Sequence, residues 1–457
     1  MSAAAPAPTG PVEAAAPRRL SPLTPVVRGF YLVVAFAATS WDDVLRGDVG
    51  PLGWLLLALL VAGSVFGAAS WLRTSYRIHA DELRVDTGLV SRRSRRIRVD
   101  RLQGIDVVQP FVARLFGLAE LRFDVAGGGD EGKLAFLPMS EAERLRTELL
   151  DRRDAVRRAR EGVSADSGSV EQAPAEPARV VARLDLGMLV LSILFSSETA
   201  AFVVSAALAG ALFATFGGFG GVAGVLTFLA GFAITALRRL SAFYDFTLTR
   251  DGAGLHVRRG LFERSTQTIV LQRVQGVVVT EPLLWRRQGW ARLDVSVARQ
   301  ASSDTDGGDA GFSSTVMPVA PRAEVLALAG ELLAVAAGLG EGVVVRPDAV
   351  LLTPAPDRAR WVAPVRRRWM LAGQGEHLVG ARHGLLTRRT HVVPYARIQS
   401  LRLRQGPWQR RFGLADLLVD SPPGPVAVRA RHRDAREARR LLDEAVDRAR
   451  EARALRR

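Results

Sequence analysis

Three stretches of this chain repeat one another residue by residue, and that repetition limits the fold more than any other feature. Around Arg101 the sequence reads RLQGIDVVQPFVARLFGLAELRFDV, around Arg273 RVQGVVVTEPLLWRRQGWARLDVSV, and around Arg397 RIQSLRLRQGPWQRRFGLADLLVDS. Without a gap, Arg101, Arg273 and Arg397 align, as do Gln103, Gln275 and Gln399. Arg114, Arg286 and Arg410 then align, followed by Gly117, Gly289 and Gly413. Upstream in the same register lie Gly88, Gly260 and Gly384. Such self-similarity means one structural unit used three times.

Each copy carries the same local pattern. Ala119, Leu121, Phe123 and Val125 alternate with Glu120, Arg122 and Asp124. Ala291, Leu293, Val295 and Val297 do likewise, as do Ala415, Leu417 and Val419. A period of two sends successive side chains to opposite faces and predicts half-buried strands. Ile97 and Val99 alternate with Arg96 and Arg98 in the same way. The glycines at 88, 260 and 384 fall between two such runs, where a hairpin turn needs a permissive backbone. An amphipathic helix is expected to close each copy, over 140–160, 322–339 and 434–456. Ser140 and Glu143 stand at capping-box spacing for the first. The shared arginines, glutamines and glycines are expected to do one structural job in every copy, pinning a loop or pairing with a strand carboxylate.

Long apolar runs lie between and ahead of the copies. Residues 52–72 carry no charge, with Trp54 and Trp71 near the ends as interfacial aromatics. Residues 26–41 form a shorter run with Arg28 near its start. A second apolar block covers 184–237, of which 217–237 is uncharged. About 20 helical residues cross a ~30 Å hydrocarbon core, so two hairpins are expected. Glu198 leaves two readings open. A span starting at Leu186 puts the carboxylate inside the bilayer, where it would be functional. A span starting near Thr199 makes Ser197 the cap and Glu198 a first-turn residue, with 186–195 along the interface; this second reading is preferred. Arg28, Arg73, Arg77, Arg183, Arg238 and Arg239 border the outer ends of the hairpins, which predicts cytoplasmic domains. The third copy has no such run before it, only a Pro/Arg-rich stretch with Trp361 and Trp369. The apolar helix 322–339 is an alternative span, opposed by Glu324 and Glu331.

The resulting order is a disordered tail 1–25, a transmembrane hairpin 26–72, a first domain 73–160 and a linker 161–183. An interfacial helix and second hairpin follow over 184–239, then a second domain 240–340, a linker 341–373 and a third domain 374–457. This arrangement, with Ser21-Pro22-Leu23-Thr24-Pro25 ahead of the first run, resembles the bacterial pleckstrin-homology (PH) domain membrane proteins of the YdbS/YdbT type. The resemblance implies membrane α-helical hairpins plus α+β domains: three PH-like antiparallel β-barrels, each closed by a C-terminal helix. It also implies a multi-pass protein of the bacterial plasma membrane. Its expected role is a non-enzymatic scaffold or binding protein for protein partners, anionic lipid or a second copy of itself. The alternative is a transport or envelope-maintenance component whose transmembrane bundle is itself functional.

Chemistry is scarce. With no cysteine there is no disulfide, thiolate metal site or cysteine nucleophile. The six histidines are scattered, and neither a phosphate-loop lysine nor a GxSxG elbow is present. No enzyme activity, cofactor or metal is therefore expected. The formal charge is +16, almost all arginine, since Lys133 is the sole lysine. Such charge suits nucleic acid, but membrane runs and few aromatics on the basic strands argue against a groove for it. Anionic lipid suits it better. Arg92, Arg93, Arg96 and Arg98, with Arg95, crowd one hairpin of the first copy; Arg388 and Arg389 do the same in the third, with Arg366, Arg367 and Arg368 upstream. Each is worth about 1 kcal/mol near an anionic leaflet.

Overall fold

The computed structural model describes residues 18–19, 21, 54–55, 57–59, 61–63, 65, 69, 73–78, 82–87, 93–99, 102–125, 132–160, 179–216, 219–251, 254–298, 314–339, 343, 345–422 and 424–454. The expected span 26–41, the turn at Gly88, and Arg92 and Arg101 lie outside them. The chain divides into two compact units, Met1–Glu171 and Gln172–Arg457.

In the first unit, Arg18–Arg19, Ser75–Ile78, Glu82–Thr87 and Arg93–Arg98 pair antiparallel in that order. Leu102–Gln109, Leu118–Val125 and Gly132–Pro138 follow as antiparallel neighbours. The period-two pattern has its expected result: Leu121 and Phe123 are buried, while Glu120 and Arg122, which alternate with them, are only half-buried and form an ion pair at 3.2 Å. Helix Met139–Arg160 contributes Ala142, Leu145 and Leu149 to a core shared with Tyr76, Leu83, Ile97 and Phe123.

The second unit builds the same seven strands and helix twice. Arg179–Arg183, Thr247–Asp251, Gly254–Arg259 and Arg264–Ile269 pair in order. Val274–Pro282, Trp290–Val297 and Thr315–Pro321 come next, and helix Arg322–Ala337 closes the copy. In the last copy the strands are Thr353–Pro354, Leu371–Gln374, Leu378–His383 and Thr387–Pro394, then Ser400–Arg404, Leu414–Asp420 and Val428–Asp434. Helix Ala435–Ala454 ends it. Val274–Pro282 also pairs antiparallel with Thr387–Pro394, from Val277 opposite Val392 to Pro282 opposite Thr387, so the two copies share one seven-stranded sheet.

This order corrects the expected boundaries. The apolar segments do not precede the domains; they are inserted between the first and second strands. Arg18–Arg19 lies in the stretch that composition reads as a tail, and Arg179–Arg183 in the stretch read as a linker. Thr353–Pro354 lies in the Pro/Arg-rich stretch, and in this copy the inserted segment is reduced to the 3-10 turns Asp357–Trp361 and Arg367–Trp369. Edge strands this short show no periodicity, and an edge tolerates Pro354 because no ladder bond needs its missing N–H. Helix Arg322–Ala337 is apolar because it is a core helix: Val325, Leu328, Leu332 and Leu333 are buried in the second copy. It is not a span.

The repeated glycines do one job. Gly117, Gly289 and Gly413 stand at φ +66°, +70° and +63° after a short helix. Each carbonyl accepts the first amide of the closing helix, from Met139 at 3.0 Å, Arg322 at 2.7 Å and Ala435 at 2.9 Å. The first helix therefore starts at Met139, and Ser140 falls inside its first turn rather than capping it. The turn glycines are stricter. A Cβ on Gly260 would lie 1.8 Å from the Glu263 carbonyl oxygen, and one on Gly384 1.9 Å from that of Thr387, both at positive φ.

In the inserted segment of the second copy, helix Leu186–Leu194 is capped by Asp185, whose carboxylate accepts from the Gly187 and Met188 amides. Helices Ser197–Phe216 and Phe219–Phe243 pack together, with Phe202 stacked on Phe232 at 4.1 Å. Ser196, not Ser197, is the cap: its Oγ accepts the Thr199 amide at 3.2 Å. Glu198 sits in the first turn, 3.3 Å from Arg239. Among the described residues no single helix is long and apolar enough to cross a membrane; Leu186–Leu194 and Ser197–Ala211, bent by 45°, meet that condition together.

Candidate functional site

The shared sheet brings charge together where the second and third copies meet. Strand Val274–Pro282 runs into helix Leu283–Gln288 through Pro282, whose fixed φ suits a helix start. That helix carries Arg286 and Arg287. Gly289 positions Arg322 at the head of the closing helix, and the sheet register sets Arg388 opposite Glu281. Glu281, Leu283, Arg286, Arg287, Arg322 and Arg388 line a cleft of about 430 Å³.

Four guanidiniums face one carboxylate. Glu281 is only 3% exposed; Arg322 Nε donates to its Oε1 at 3.0 Å and Arg388 Nη1 lies 3.9 Å from Oε2. Arg286 Nη2 donates to the Leu385 carbonyl at 2.8 Å, while its Nε is buried without a partner. Arg287 is exposed and has no hydrogen-bond or ion-pair partner among the described residues. Burial and the neighbouring Arg388 lower the pKa of Arg286 and of the nearby Arg382, the signature of crowded cations. Arginine keeps its proton even so. The cleft therefore carries excess positive charge beside a buried anchor.

Its surroundings are apolar on one side. Leu385 and Leu386 are exposed at the adjoining turn, and Thr387 Oγ1 lies 3.2 Å from Ser197 Oγ at the start of helix Ser197–Phe216. Trp285, between Leu283 and Arg286, is 1% exposed. Its Nε1 donates to the Ser192 carbonyl at 3.0 Å, and the Arg239 guanidinium stands 5.7 Å from its ring.

The structure splits the residues that the repeat groups together. Gln275 is buried and donates to the Arg273 carbonyl at 3.0 Å, whereas Gln399 is exposed. Arg114 and Arg410 are exposed on their short helices, whereas Arg286 lines the cleft. The side chain of Gln103 lies outside the described residues, as does that of Arg93. Arg96 and Arg98 are exposed on either side of buried Ile97, and Arg389 is exposed beside Arg388. Gly117, Gly289 and Gly413, by contrast, act alike in all three copies. Arg286 belongs to the charged site; Glu281, Arg287 and Arg322 join it without any motif to announce them. A lone carboxylate in the run VVVTEP, among buried valines, is the one signal for Glu281.

Arg397 does have a structural role, across copies. Its Nε donates to the Ala336 carbonyl at 3.0 Å and its Nη2 to the Gln272 carbonyl, tying the third copy to the helix end and turn of the second. Replacing Arg397 with Ala is expected to lower stability by about 1.5–3 kcal/mol, the usual worth of charge-assisted bonds. Urea unfolding of the detergent-solubilised chain measures it, and unchanged stability would refute the staple.

The model of the Bacterial PH domain family matches residues 30–153, 199–336 and 323–448. A relative, the UPF0699 transmembrane protein YdbT of Bacillus subtilis (strain 168), is 36% identical over 109 residues. That segment covers 23% of this chain and 21% of the relative, about a fifth of the length of each.

Proposed function

This chain belongs to the bacterial PH domain family, and from that premise we propose that it is a multi-pass plasma-membrane protein holding three PH-like barrels at the cytoplasmic face as non-catalytic binding modules. The observation that carries this reading is the inserted helical segment. By length alone, its two long helices of 20 and 25 residues match a ~30 Å core at 1.5 Å per residue. They expose Val203, Val204, Leu208, Leu229, Ile234 and Leu237. An apolar surface of that extent suits lipid better than water. Helix Leu186–Leu194 buries Leu189 and Ser192 and exposes Leu186, Val190, Leu191 and Leu194, the pattern of a helix lying in the interface. Arg183, Arg238 and Arg239 at the domain end favour a cytoplasmic location. The relative's name, a transmembrane protein, agrees with this reading.

The modules then bind anionic lipid, a protein partner or a second copy of this chain. Glu198 pairs with Arg239 at the domain end of the helices, where it anchors rather than carries, so a transport role gains no support from it. Alkaline carbonate extraction should leave the chain in the membrane pellet, and reporters fused at Gly307 and Arg457 should both read as internal. Release into the supernatant, or an external reporter, would overturn the proposal.

A further inference from the structure

We infer that the cleft lined by Glu281, Arg286, Arg287, Arg322 and Arg388 binds the phosphate of a phosphomonoester lipid headgroup; this rests on the membrane-bound reading above. Charge comes first. Four guanidiniums stand against one carboxylate, so a group of higher negative charge offsets more of the excess than a monoanion does. A phosphate monoester brings about −1.5 to −2 and three acceptor oxygens. Arginine forks match such oxygens two at a time.

The site is also built rather than merely basic. Glu281, buried in the sheet, holds Arg322 at 3.0 Å and lies 3.9 Å from Arg388. Arg286 lines the cleft and is held in place by the Leu385 carbonyl, which accepts from its Nη2 at 2.8 Å. Arg287 has no competing partner among the described residues. At about 430 Å³ the cleft is shallow and open, with room for a headgroup whose remainder stays outside it.

The lipid source follows from position. Leu283 lines the cleft, Leu385 and Leu386 are exposed beside it, and Thr387 touches Ser197 at the foot of the hydrophobic helices. A ligand with phosphate at one end and acyl chains at the other meets both surfaces. Free phosphate meets only the arginines.

The full chain, purified in a non-ionic detergent, is titrated with dioctanoyl phosphatidic acid, dioctanoyl phosphatidylcholine and inorganic phosphate, with bound ligand counted by native mass spectrometry. Phosphatidic acid should bind, inorganic phosphate roughly ten-fold or more weaker, and phosphatidylcholine weakest. Arg287→Gln and Arg388→Gln should each weaken phosphatidic acid roughly ten-fold, about 1.4 kcal/mol. Arg287 is exposed, and Arg287→Gln breaks no hydrogen bond or ion pair among the described residues, so its thermal midpoint should match the parent and keep the test valid. Equal affinity for inorganic phosphate would overturn the lipid assignment. Phosphatidic acid binding indifferent to both variants would overturn the site. A membrane-inserted chain with that result sinks the cleft alone, whereas a chain released by carbonate sinks the membrane reading as well.

Discussion

Changing Trp285 to Ala is expected to lower stability by about 3–5 kcal/mol, the usual cost of deleting a large buried aromatic. Its side chain is among the largest that are fully buried, and two elements converge on it. The indole N–H holds the Ser192 carbonyl near the end of helix Leu186–Leu194, and the Arg239 guanidinium lies over the ring from helix Phe219–Phe243. The mutation therefore acts at the junction between the inserted helices and the second copy. Chemical unfolding in detergent reads the total, and limited proteolysis reads where the structure opens. Trp285→Phe separates the causes: it keeps most of the packing and leaves the Ser192 carbonyl without its donor, at about 1–3 kcal/mol. Equal losses in the two variants would mean that packing contributes little and the hydrogen bond nearly all.

Arg433 should be comparably intolerant, for electrostatic reasons. Its side chain is 3% exposed, and both terminal nitrogens are bound while Nε is buried without a partner. Nη1 donates to the Thr353 and Pro354 carbonyls at 2.8 Å each, Nη2 to Thr353 Oγ1 at 2.6 Å, and Glu437 supplies the counter-charge. Glu437 is partly exposed and can be hydrated, so the main cost is the stranded Thr353 and Pro354 acceptors, at about 1–3 kcal/mol for each that stays buried. Arg433→Ala should therefore release strand Thr353–Pro354 from the third copy, visible as faster amide exchange at Thr353. Arg433→Lys should rescue little, since a lysine lacks the fork that reaches two carbonyls and a carboxylate at once. Full rescue by lysine would show that charge alone matters.

Much of the repeated unit is legible from residues. Leu121 and Phe123 announce a strand by period, and Gly117, Gly289 and Gly413 announce a backbone that other residues adopt only under strain. What is not legible depends on chain reversals across long separations. Strand Thr353–Pro354 has no period to read, and its place is set by Arg433, eighty residues on. The inserted position of the apolar helices follows from pairing Arg179–Arg183 with Thr247–Asp251, which no local pattern reveals. The cleft needs Glu281 and Arg388 to become neighbours, which only the shared sheet brings about. Histidines behave similarly. His383 and His391 look scattered, yet their strands stack the rings at 4.9 Å. Burial first, then His383 and the nearby arginines, pushes the His391 pKa down to about 3, so it is a neutral ring accepting the Ala427 amide.

The shared sheet also has a consequence for synthesis. Strand Val274–Pro282 leaves the ribosome well before Thr387–Pro394, its neighbour along one edge. At roughly 5–20 residues per second, that edge waits on the order of ten seconds for its partner. Its middle is Val277-Val278-Val279, apolar and strand-prone, and an unpaired edge of that kind is a template for another nascent chain. The third copy is thus the second copy's cover as well as a module in its own right. A message cut short after the helix Arg322–Ala337 would yield a product with a folded core and one adhesive side.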